Sequence, residues 1–210
     1  EGTGHYRVWG PLGGLDRAAL VQYSLLPAHG WNSQTKRVPT VPELLRAEPD
    51  TLLIQHGYLD LFLDWIGRYR AHTPTFLVFG QDDNILNVPE RNSLKKRLIG
   101  DLDQRVAKAM GLCDRLIVTT EPLVEVYRKY IGDIRVVPNC LDGTRWAGVV
   151  SKRKAGRKPR VGWAGALQHL GDLEWLEPVV KALASEVEWV FMVMCPKNLR
   201  PHVREFHQAV

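Results

Sequence analysis

Residues 160–175 read RVGWAGALQHLGDLEW, and the fold turns on how that stretch is parsed. Val161, Trp163 and Ala164 form an apolar run that stops at Gly165, and a helix is expected from Leu170 to Ser185. Strand, glycine turn and helix in that order open a unit of parallel sheet covered by helices. Glycine at such a turn lets backbone N–H groups approach an anion closely, and the helix start behind it favours negative charge.

The same alternation runs upstream. Strands are expected at Tyr6–Trp9, Thr51–Gln55, Thr75–Phe79, Arg115–Thr119, Ile134–Val137, Arg160–Ala164 and Glu188–Met194. Helices are expected at Leu15–Leu26, Val41–Glu48, Tyr58–His72, Ser93–Gly111 and Glu121–Ile131, besides the one after Gly165. Several of the strands are apolar throughout, as strands buried on both faces should be. In the fourth helix Leu94, Leu98, Leu102, Val106 and Ala109 make one apolar face opposite Lys95, Lys96, Asp101, Arg105 and Lys108, the pattern of a helix lying on a sheet. The expected fold class is α/β, a Rossmann-like parallel sheet flanked by helices.

The polar, basic stretch SKRKAGRKPR (151–160) interrupts this alternation before an apolar strand restarts, which marks a linker. The expected division is residues 1–140, a basic linker over 141–159, and a second domain from 160 to 210. The chain's net charge is +5, and Lys152, Arg153, Lys154, Arg157, Lys158 and Arg160 supply six cations with no acid among them. Basicity is therefore a local tract: a solvated linker, or a contact for anionic lipid headgroups or nucleic acid.

With 45% hydrophobic and 24% charged residues in 210, the composition is that of a globular protein. No apolar run approaches the ~18 residues that cross a bilayer, and no signal peptide opens the chain. Cys113, Cys140 and Cys195 are widely spaced and lack a C-x-x-C pair, so neither a disulfide framework nor a metal site is expected. A soluble protein of the reducing cytoplasm fits these features.

Three stretches carry candidate chemistry. In YRVWGPLGGLDRAAL (6–20) a strand is expected to run into Gly13-Gly14 ahead of a helix; the pair either admits a ligand to the backbone or is a plain tight turn. In FLVFGQDDNILNVP (76–89) Asp82 and Asp83 follow a buried strand directly. Ligands of open α/β sheets bind beyond the carboxyl ends of strands, so a carboxylate there would accept hydrogen bonds from sugar hydroxyls or a proton from an acceptor. Adjacent side chains usually diverge, so one of the two is expected to reach the site; the alternative is an Asx turn. His56 is a further catalytic candidate. Finally VVPNCLD (136–142) ends a strand on Pro138 and Asn139 just before the linker.

Taken in order, the buried strand, the DD pair, CDRLIVTTEPL (113–123), VVPNCLD with the following RW, and RVGWAGALQHLGDL (160–173) resemble bacterial family-four glycosyltransferases of the GT-B fold. The resemblance spans about residues 6–190. It implies two facing Rossmann-like domains, the first holding the acceptor and the second gripping a nucleotide-sugar donor in the cleft. The reaction implied is sugar transfer to a hydroxyl of a saccharide, lipid-linked or other acceptor, with retention; the protein is expected in the cytoplasm, with the basic linker as its point of peripheral contact with the inner face of the membrane. The nucleotide-sugar is a substrate; no cofactor and no metal are implied, because protein cations and helix dipoles stabilise the leaving diphosphate.

On this mapping Gly165, Ala166 and Leu167 offer backbone donors to the phosphates. His169 donates to phosphate or sugar, or is incidental; Asp172 accepts a sugar hydroxyl or caps the helix. Gly13, Gly14 and Asn139 line the cleft, while Asp82, Asp83 and His56 approach the reaction centre. Where many members place an arginine after the glycine and a lysine several residues on, this chain has Ala166 and Gly171. The later part of a donor domain, with its E-x7-E-like motif, is missing from the sequence, and no initiator Met opens it, so the chain is expected to be part of a longer enzyme. Two other classes use the same features. A non-catalytic saccharide- or nucleotide-binding remnant needs only the acceptor half. A nucleic-acid-binding module would use the basic tract, but the seven tryptophans are scattered through expected core elements, so no nucleic acid partner is expected.

Overall fold

The stretch FLVFGQ (Phe76–Gln81, β2) is buried at every position after Phe76, so it needs a covering layer on both faces. A computed structural model describes residues 5–25, 39–90, 92, 95, 100–150, 156–165, 169–192 and 195–206. There β2 lies inside a four-stranded, all-parallel sheet in the order β1-β2-β3-β4, with Thr51–Gln55 as β1, Arg115–Val118 as β3 and Ile134–Val136 as β4. Parallel neighbours require a crossover of a dozen or more residues. Asp60–Arg70 (α3) lies between β1 and β2, Leu102–Gly111 (α4) between β2 and β3, and Glu121–Tyr127 (α5) between β3 and β4; Gly10–Arg17 (α1) and Val41–Ala47 (α2) precede the sheet.

Local chemistry sets several boundaries. At α2 the Thr40 hydroxyl accepts from Glu43 N (3.3 Å) while Glu43 Oε2 accepts from Thr40 N (2.7 Å), a reciprocal cap of two otherwise orphaned donors. Leu63, Trp65, Ile66 and Tyr69 of α3 and Val106, Ala109 and Met110 of α4 are buried in one core with Leu77, Phe79 and Leu116 of the sheet. The entry to β3 is held by Asp114. Its carboxylate accepts both Nη atoms of Arg70 (2.7 and 2.6 Å) and Leu77 N (2.8 Å), a bidentate pair that also satisfies a β2 backbone donor.

The chain divides into two compact units, Glu1–Leu86 with Asp101–Val149, and Asn87–Gly100 with Val150–Val210. After the short helix Gly143–Trp146 (α6), the second unit contributes its own parallel sheet in the order β5-β6-β7: Arg160–Ala164, Glu188–Met192 and Val203–Phe206. Helix Leu170–Ala182 (α7) connects the first two strands, and Leu173, Val180, Trp189, Phe191, Cys195 and Leu199 form the core there. Both units are Rossmann-like α/β sheets flanked by helices. Among the described residues no helix is long and apolar enough to cross a membrane.

Three expectations are corrected. His5–Trp9 is a π-helical turn continuing into α1, not a strand: a short apolar run has no periodicity to separate strand from helix, and Pro11 is tolerated in a first helical turn. Helix α1 ends at Arg17 and does not occupy Leu15–Leu26, since Ala19 is left-handed at φ 55°. The helix expected from Ser93 begins at Leu102, after Gly100 at φ 104°; residues 93, 94 and 96–99 lie outside the described residues. Strand β7 was not foreseen.

Candidate active site

All four strands of the first sheet end at one edge, the edge where open α/β sheets bind ligands. His56 follows β1 directly and is left-handed at φ 56°, a conformation that costs a non-glycine residue about 1–3 kcal/mol and needs support from its surroundings. That support comes from both sides. His56 N still donates to Gly80 O (3.4 Å), and at Gly57 a Cβ would come within 2.7 Å of the Phe62 ring.

The imidazole thereby meets Asp82, the first residue past β2. His56 Nε2 bonds Asp82 Oδ1, and the two side chains are 28% and 13% exposed. Gln55 Nε2 donates a longer bond to the same oxygen (3.4 Å); its amide crosses Gly80, where any Cβ would overlap Gln55 Oε1. Burial raises the pKa of the Asp82 carboxyl, but the bond to His56, the charge of that histidine and nearby Arg7 outweigh burial and hold it below its ordinary value. An ionised carboxylate only accepts. Nε2 therefore carries a proton, and when the ring is neutral the Nδ1 lone pair is the base. Among the described residues nothing bonds Nδ1.

Asp83 diverges from its neighbour: its side chain is exposed, and its carbonyl accepts from Gln81 Nε2 (2.6 Å) and Tyr127 Oη (2.7 Å). Of the two acids, Asp82 is the one joined to a histidine. Asn139 also reaches this edge of the sheet, accepting from Arg7 Nη1 (3.3 Å), which donates as well to Val137 O (2.6 Å). Arg7 Nε is buried without a partner among the described residues, and burial lowers the guanidinium pKa while Asp82 raises it. Gly13 and Gly14 do not form the expected turn. They lie inside α1, where their N–H groups belong to a helix rather than to a phosphate cradle.

In the second unit Gly165 follows β5, and a Cβ there would come within 2.5 Å of the Trp163 indole, so its glycine identity is required by packing on its own strand. Ala166 and Leu167 lie outside the described residues. His169 precedes α7 and pairs through Nδ1 with Asp172 Oδ2 (2.9 Å); the two are 47% and 69% exposed. Asp172 thus holds His169 and also sits in the first turn of α7, where negative charge is favoured.

No known family model matches the chain, and no curated protein matches it.

Two residues at the first site escaped sequence reading, Arg7 and Gln55. Arg7 reaches its partners across 130 and 132 positions, and no local pattern announces such a contact. Gln55 had a signal, a polar end to an otherwise apolar strand next to His56. A cavity of about 590 Å³ lies between α2 and α3, against Thr40, Val41, Leu45, Trp65, Arg68 and His72. Among the described residues no cluster of His, Cys, Asp or Glu could hold a metal.

The lowered Asp82 pKa makes a stability prediction. A carboxyl whose folded pKa lies below its unfolded value stabilises the fold above the unfolded pKa and loses that contribution as pH falls through the folded one. Asp82→Asn is therefore expected to lower the urea midpoint at neutral pH, with the gap to the wild type closing below the ordinary value of 3.8. A gap that is the same at pH 7 and in acid would show that Asp82 carries no favourable charge interaction.

Proposed function

We propose that this protein is a glycosyltransferase that moves a sugar from a nucleotide-sugar to a hydroxyl of a saccharide or lipid-linked acceptor. The reading is supported by one observation above the others: a histidine held by an ionised carboxylate at the carboxyl edge of a parallel sheet, with its second nitrogen available as a base. The ordered resemblance to family-four glycosyltransferases gives that base its substrate.

In the proposed reaction the acceptor oxygen bonds to the anomeric carbon on the face from which the diphosphate departs, as the retention implied by the resemblance requires, while the bond from that carbon to the diphosphate breaks. The electron pair leaves with the nucleoside diphosphate, and the acceptor proton passes to His56 Nδ1. Asp82 stays ionised and stabilises the imidazolium, so the pair supplies general-base catalysis worth about 10²–10⁴ in rate. In the second unit, the backbone at Gly165 and the His169–Asp172 pair are assigned to the donor. The six cations of Lys152–Arg160 suit work beside anionic lipid at the cytoplasmic face of a membrane.

The test is to incubate the intact gene product with uridine, guanosine, adenosine and thymidine diphosphate sugars and a panel of saccharide and lipid-linked alcohols, following release of the nucleoside diphosphate. Release is expected with one base only and only when an acceptor is present. Absence of release from every donor, by protein that is folded by circular dichroism, would overturn the assignment.

A further inference from the structure

Beneath the pairing of Asp82 with His56 lies a set of buried side chains that hydrogen-bond to the backbone of the DD segment. Tyr58 Oη donates to Gln81 Oε1 (2.6 Å), and Gln81 Nε2 then donates to Asp83 O (2.6 Å). Tyr127 Oη donates to the same carbonyl (2.7 Å) and accepts from Ile85 N (3.2 Å). Thr119 Oγ1 donates to the adjoining Asp82 O (3.2 Å). Gln81 and Tyr127 are fully buried and Tyr58 is 4% exposed, so each broken link leaves an unpaired polar group in the core, costly enough to keep the chain of bonds intact.

These donors come from four places: the exit of β1, the last residue of β2, the exit of β3 and the end of α5. Together they fix two consecutive carbonyls. Asp82 and Asp83 lie past the end of β2, with Asp83 at a bend whose carbonyl also accepts from Ile85 N (3.1 Å), so strand alternation does not orient them, and the bonds to their two carbonyls set which carboxylate faces His56. We propose that Gln81 and Tyr127 are positioning residues that clamp the Asp83 carbonyl and so select Asp82, not Asp83, as the partner of His56. The role of the pair in catalysis rests on the glycosyltransferase reading above; the clamp itself does not.

The experiment is therefore run on two readouts. The first needs no activity: the imidazole ¹⁵N shifts of His56, followed with rising pH until they stop changing, report which nitrogen carries the proton in the neutral ring. The Nε2–H form is expected to account for nearly all of the wild type, and Tyr127→Phe is expected to bring the other tautomer to a comparable population while far-UV circular dichroism stays unchanged. Tyr58→Phe, which removes only the outermost link, is expected to shift the populations in the same direction by less, and it serves where Tyr127→Phe does not fold. The second readout is turnover. Tyr127→Phe is expected to lower kcat about tenfold with KM unchanged, and to cost nothing further when Asp82 is already asparagine, the signature of residues acting through one another.

A wild-type tautomer in whichever of these variants folds would overturn the clamp and leave these residues a purely structural role. The tautomer shift without any glycosyl transfer would uphold the clamp and overturn the enzymatic reading instead.

Discussion

Asp82→Asn is expected to lower kcat for glycosyl transfer by about 10²–10⁴, and His56→Ala by a similar factor, because both remove the same general base. The asparagine amide can donate to Nε2 as well as accept from it, so it no longer fixes the proton there, and Nδ1 is no longer held as the base. The double variant is expected to be no slower than the worse single one, since groups acting as a unit are not additive. Asp83→Asn supplies the contrast. Its side chain is exposed, and the bond to His56 is made by Asp82, so a loss of no more than about threefold is expected, well short of the general-base range. Steady-state release of the nucleoside diphosphate decides the matter. Equal losses at the two aspartates, or wild-type turnover in Asp82→Asn, would remove the dyad from the mechanism.

The second large effect is on stability. Phe79 is fully buried at the centre of β2 and packs at 5.1 Å between ring centroids against Tyr58. Truncating a buried phenylalanine removes its transfer free energy and leaves a cavity that the surroundings fill only in part, for about 3–5 kcal/mol. Against a total of about 5–15 kcal/mol for a typical domain, that is a large fraction. Phe79→Ala is therefore expected to reduce the urea midpoint of unfolding sharply with little change in slope. The damage also reaches the site, because Tyr58 stands on Phe79 and starts the chain of bonds to Asp83. An unchanged midpoint would mean that β2 is not the centre of the core.

Much of this architecture is legible in the sequence for a simple reason: inner parallel strands must be apolar on both faces. The inner strands carry that requirement, FLVF of β2 in every residue and RLIV of β3 in all but Arg115, and each lies within a residue or two of its expected limits. Edge elements lack the constraint. Strand β5 is largely exposed and was recognised through Gly165 and the helix behind it, whereas β7 had no such flanking signal. The N-terminal segment misled for a related reason. Its aromatic and branched residues suit either conformation, and the left-handed Ala19 that ends α1 has no glycine or proline to announce it.

The sequence by itself determined the α/β class, the positions of the inner strands, and the rule that polar residues just past them form a site, because burial and chain direction act locally on residue type. It could nominate His56, Asp82 and Asp83 but not choose among them. That choice belongs to the tertiary structure. Parallel pairing of β1 with β2 brings His56 beside Asp82, the residue His56 itself is left-handed, and Tyr127, 44 residues away, donates to the Asp83 carbonyl. Each of these depends on distances between segments remote in the chain, which no local periodicity encodes.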